Sequence, residues 1–81
     1  MKIQEKVFDI LRELSGEQKV KLENNLQTDM LLDSLGMVTL LIIIEDDFGV
    51  ELDESDMNPF DLITVNDVVA LVKKYVEEAD E

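Results

Sequence analysis

Apolar residues recur along this chain at helical intervals. Ile3, Val7, Ile10, Leu11 and Leu14 share one face of a helix predicted over about residues 2–15, because steps of three and four return to the same side at about 100° per residue. Ser15-Gly16 closes it, glycine being free to take the left-handed conformation after a last turn. Residues 16–32 are mostly polar, with Asn24-Asn25 at the centre. Leu22, Leu26, Leu31 and Leu32 are expected to pin this stretch as a long ordered loop. Loops of such length are uncommon in a small domain and usually serve a function.

The spacing predicts a second helix from Ser34 to Phe48, with Asp33 or Ser34 as its cap and Gly49 as its stop. Asn58-Pro59 announces a short third helix over Pro59 to Leu62. A fourth begins after Thr64, with Asp67 completing a capping box, and runs to about Glu77. Val65, Val68, Val69, Val72 and Val76 form its buried stripe. Valine favours strands, but these valines recur every three or four residues rather than every two. The expectation is an all-α bundle of three main helices plus one short helix, a single domain over residues 1–81.

The second helix is apolar on two faces. Met37, Leu40, Leu41, Ile44 and Phe48 make an ordinary core stripe. Leu35, Val38 and Ile42 fall on nearly the opposite side and are followed there by Glu45 and Asp46. One apolar face buries a helix in a small bundle, so the second face is expected to be a surface patch for a partner.

Charge sharpens that expectation. The chain of 81 residues is 46% hydrophobic and carries a net charge of −13, too apolar for a disordered chain despite its charge. Residues 22–72 hold twelve acids and no Lys or Arg. Such a field repels phosphate backbones and anionic membranes and suits a partner with a basic patch. Cysteine and histidine are absent, which excludes disulfides, thiolate nucleophiles, imidazole bases and most zinc chemistry. An EF-hand loop starting at Asp53 would place Asn58 where glycine is needed and Thr64 where glutamate is needed, so that motif fails. No signal peptide and no apolar run of about 18 residues is present. A monomer in the cytoplasm is expected, with no catalytic or metal site.

The segment Leu32-Asp33-Ser34-Leu35-Gly36-Met37-Val38 resembles the attachment motif of the acyl carrier protein family. Glu45-Asp46-Asp47-Phe48-Gly49-Val50 resembles the acidic end of that family's second helix, and Ile63-Thr64-Val65 the lead into its last. The resemblance spans essentially the whole chain. It implies 4′-phosphopantetheine carried on Ser34, flanked by Asp33 and Leu35, with an acyl group held as a thioester on the arm, as in fatty acid or related biosynthesis. It also implies docking of a phosphopantetheinyl transferase and of basic loading and transfer enzymes on Leu35, Val38, Ile42, Glu45 and Asp46. Gly36 and Thr39 stand where many fatty-acid carriers have acids. The segment from Asp53 to Ile63 is also about two residues longer than in those carriers. Glycine after the motif looks more like D-alanyl and aminoacyl or peptidyl carriers. An acidic interaction module without a cofactor is the more remote alternative.

Overall fold

The computed structural model describes residues 3–56, 58 and 61–76. Three helices carry the fold: α1 (Ile3–Ser15), α2 (Ser34–Phe48) and α3 (Val65–Tyr75). Among the described residues there is no strand, only an isolated antiparallel bridge between Asn25 and Thr64. The all-α expectation holds.

Local sequence sets the helix ends. Gly16 (φ 79) returns its amide to the Arg12 carbonyl at 2.9 Å, and Gly49 (φ 65) returns its own to Glu45. Both are left-handed positions that glycine occupies without strain. Asp33 caps α2 through the Gly36 amide. Thr64 and Asp67 form the reciprocal capping box on α3, where the hydroxyl takes the Asp67 amide and the carboxylate takes the Thr64 amide.

α1 packs against both α2 and α3 and buries Ile3, Val7, Ile10 and Leu11. From α2 come Met37, Leu40, Leu41 and Ile44, while α3 supplies Val65, Val68, Val69 and Val72 together with Leu71, which the valine stripe left out. Leu14, Phe48 and Val76 are half-buried at the margins. Lys6 on α1 donates to the Asp47 carbonyl at 2.9 Å and stands 5.2 Å over the Phe48 ring. It thereby brings a cation to the C-terminal end of α2, whose own last turn holds no base.

The 16–33 connection is ordered mainly by backbone pairing. Leu26 donates to the Ile63 carbonyl, Val65 to Asn24 and Asn66 to Leu22, all within 3.0 Å. Leu26 and Leu32 enter the core and Leu22 half enters it, together with Val20 and Met30. Leu31 does not pin the loop: it is 78% exposed. Burial of both Met30 and Leu32 turns the residue between them outward.

Beyond α2 the chain makes a 3-10 turn at Glu54–Asp56 that periodicity did not anticipate. The predicted short helix rests on Pro59 and Phe60, which lie outside the described residues, as does the predicted end of the last helix at Glu77. Helix α3 ends at Tyr75, and Val76 caps it.

Candidate functional site at the head of α2

Leu32 is buried and fixes the chain to the core just before Asp33. Asp33 has extended backbone, and its Oδ1 accepts the Gly36 amide at 2.8 Å while its carbonyl accepts that of Met37 at 2.9 Å. Ser34 is therefore the first residue of α2 by local necessity, held between buried Leu32 and buried Met37 with its side chain at the surface. Its hydroxyl makes no hydrogen bond among the described residues. The Ser34 and Leu35 amides are first-turn donors without intrahelical acceptors, so the positive end of the helix dipole meets whatever is bonded to Ser34 Oγ.

Gly36 matters here for space, not for its dihedrals. A Cβ at this position would stand 3.3 Å from Asp33 Oδ1 and 3.4 Å from Leu32 Cδ2. Such a Cβ would be tight against the capping carboxylate of Asp33 and in contact with Leu32.

The second face of α2 is solvent-facing as its spacing implied. Leu35 is 74%, Val38 41% and Ile42 55% exposed. Asp46 continues the face at the surface, but Glu45 is half-buried. Its Oε2 accepts the Leu52 amide at 2.9 Å and braces the loop that follows α2. Leu31 and Ile63 are further exposed apolar residues, the latter in the lead to α3. Sequence reasoning places Leu31 in the core and gives Ile63 no surface role. The alternation of Met30, Leu31 and Leu32 is the available signal for the first.

A small helical bundle that sets an unbonded serine hydroxyl at the head of an acid-tipped, two-faced helix defines a carrier-type domain. The sequence family described as "Phosphopantetheine attachment site" matches residues 5–72, and the chain belongs to that family. Proteins of this class hold acyl groups on 4′-phosphopantetheine bound to a serine, and they are carriers rather than catalysts. They are served by a phosphopantetheinyl transferase and by loading or transfer enzymes.

Its relatives include the D-alanyl carrier protein of Lacticaseibacillus casei, 40% identical over 70 residues that cover 84% of this chain and 86% of that one. The acyl carrier protein of Nitratidesulfovibrio vulgaris is 31% identical over 75 residues, covering 90% and 96%. In fold the chain matches a solved Mycobacterium tuberculosis protein assigned as an acyl carrier protein. The TM-score is 0.80 at 22% identity, over 90% of this chain and 97% of the other.

The residues present fit the cofactor. The Ser34 hydroxyl is unbonded and exposed, and the amides of the first turn it heads would be donors to a phosphodiester formed on it. No helix among the described residues is long and apolar enough to cross a membrane.

Proposed function

We propose that Ser34 carries 4′-phosphopantetheine and that the arm presents an acyl group, as a thioester, to partner enzymes. The observation behind this is Ser34 itself, an exposed and unbonded hydroxyl capped into the first turn of α2. Coenzyme A supplies the arm. A bond forms between Ser34 Oγ and the phosphorus bearing pantetheine, the phosphoanhydride bond breaks, adenosine 3′,5′-bisphosphate leaves, and the hydroxyl proton passes to the transferase. The chain contributes the hydroxyl and its presentation, and the reactive thiol belongs to the arm. This is why a protein without cysteine or histidine suffices.

Leu35, Val38, Ile42 and Asp46 form the docking face, with Glu45 at its edge. The transferase and the loading and transfer enzymes meet it with a basic patch, steered by a segment of fifty-one residues, 22–72, that contains no Lys or Arg.

For the cargo, Gly36 and Thr39 at the positions after the motif and the similarity to D-alanyl carrier proteins favour an aminoacyl group of the D-alanyl type. The similarity to an acyl carrier protein supports a fatty acyl group as the second reading.

Incubation with coenzyme A and a broad-specificity transferase is expected to add one phosphopantetheine mass, and Ser34→Ala to add none. An unmodified wild type, or an equally labelled alanine variant, sinks the carrier reading at Ser34 and leaves the acidic interaction module. The holo form is then offered D-alanine with its activating ligase and ATP, or a long-chain fatty acid with an acyl-activating ligase. Mass gain in the first reaction alone supports the D-alanyl cargo, and gain in the second alone reverses that assignment.

A further inference from the structure

Leu31 is a leucine without either of the ordinary reasons for one. Its side chain is 78% exposed, so it adds nothing to the core. Its backbone sits in the left-handed region, at φ 58, and it is the one residue other than glycine with positive φ among the described residues. There the Cβ crowds the following carbonyl, and glycine or asparagine is at ease where leucine is strained.

The neighbours impose this conformation. Met30 and Leu32 are both driven into the core, and the Leu32 amide reaches back to the Leu26 carbonyl at 3.0 Å. The single turn behind them is fixed by Asn25, whose carbonyl takes the Asp29 and Met30 amides and whose side chain takes those of Gln27 and Thr28. A glycine at 31 would satisfy every one of these bonds without strain. An unfavourable conformation coinciding with an unfavourable exposure points to a side chain used in a complex.

Position selects the partner. Leu31 and Leu35 are exposed apolar residues three before and one after Ser34. Enzymes acting on the thiol can stand off from the protein by the length of the arm. The transferase cannot, because it must bring the phosphate of coenzyme A to Ser34 Oγ and so covers the surface around that hydroxyl. The same segment carries exposed Asp29 and Asp33, in a stretch without bases. A complementary surface is therefore an apolar recess with a rim of Lys or Arg. Resting on Ser34 as the attachment residue, we infer that Leu31 is a docking residue for the phosphopantetheinyl transferase, seated with Leu35 in such a recess and held out for it by the left-handed turn.

The test compares wild type with Leu31→Gly, Leu31→Asn and Leu31→Met for transferase loading from coenzyme A, read by intact mass, and for thermal unfolding. Glycine and asparagine should melt at the wild-type temperature or a few degrees above it, since both relieve the strain. Their kcat/KM for loading should fall about fivefold to tenfold, mainly through KM, as expected when an apolar side chain is removed from an interface. Methionine, which restores apolar bulk, should load within about twofold of wild type. Loading of Leu31→Gly at the wild-type kcat/KM overturns the inference while leaving the Ser34 reading intact. So does a matched fall in loading and melting temperature, which marks a structural role. Failure of the wild type itself to load removes both.

Discussion

Asp56 takes two donors from the far end of the chain. The Tyr75 hydroxyl donates to its Oδ2, Lys74 Nζ lies 3.0 Å from both oxygens, and the same tyrosine oxygen accepts the Asp53 amide at 2.9 Å. The tyrosine bond first, then the lysine, hold the Asp56 carboxyl below its ordinary 3.8. Asp67 is lowered likewise, by the Thr64 and Ile63 amides it accepts. Groups with lowered folded values stabilise fully above the unfolded value and lose that contribution as pH falls through the folded one. These two therefore act against unfolding down to about pH 4, with the loss confined to more acid solution. Lys74 and Tyr75 are raised above 10.5 and 10.0, both chiefly by their bonds to Asp56. Their contribution is complete below those values and vanishes as pH climbs through the raised ones. Tyr75→Phe should let the Asp56 carboxyl relax upward toward 3.8, read by carboxyl-carbon NMR titration. An unmoved Asp56 would show that the hydroxyl does not hold it. The same variant should lower the melting temperature at neutral pH.

At the scale of the element, α2 buries one apolar face and exposes the other, and Ile44 and Ile42 separate them. Ile44 is fully buried whereas Ile42 is 55% exposed. Ile44→Ala removes core packing and should cost about 2–5 kcal/mol of stability. Ile42→Ala should leave the melt nearly unchanged and weaken transferase binding by about 1–2 kcal/mol at every salt concentration. Circular-dichroism melts alongside loading KM distinguish the two, and equal destabilisation by both variants would mean the faces are misassigned. For the charged tip, Asp46→Lys is the cleaner reversal. It should slow loading and flatten its salt dependence, because rim charges act mainly on association. Glu45→Lys would also remove the acceptor of the Leu52 amide, so its effect mixes docking with stability.

For the whole molecule the governing fact is a net charge of −13 on a body 31 × 28 × 18 Å across. Among the described residues few of these acids have local cationic partners: Asp9 pairs with Arg12 and Asp56 with Lys74, while most of the acidic middle faces water and itself. Self-repulsion on this scale loosens a compact fold, and salt shortens its reach to about 8–10 Å near physiological ionic strength. Added sodium chloride should raise the melting temperature, and divalent cations should raise it more steeply. No group of three or more metal-ligating side chains exists among the described residues. The divalent effect should accordingly be graded rather than saturate at one equivalent. A melting temperature that is flat or falls with salt would refute the repulsion argument and leave the fold untouched.

The residues that end the helices act within four positions of themselves, and so they are legible in the sequence. Gly16 reaches Arg12, Asp33 reaches Gly36, Gly49 reaches Glu45, and Thr64 reaches Asp67. The same holds for periodicity, which separates Ile44 from Ile42 without any knowledge of packing. Helix bounds, the two faces of α2 and the place of Ser34 at its head are local properties of the chain. Other features depend on residues far apart along it. Tyr75 meets Asp56 across nineteen positions and Lys6 meets Asp47 across forty-one. The bridge from Asn25 to Thr64 orders a loop whose composition suggests only apolar pins. Glu45 bends back to Leu52 although its spacing puts it among solvent-facing acids. Leu31 belongs inward by residue type, yet it turns outward because the core takes Met30 and Leu32 on either side of it. Local bonding and periodicity are written in neighbouring residues, whereas competition for a small core is decided only when all three helices close around it.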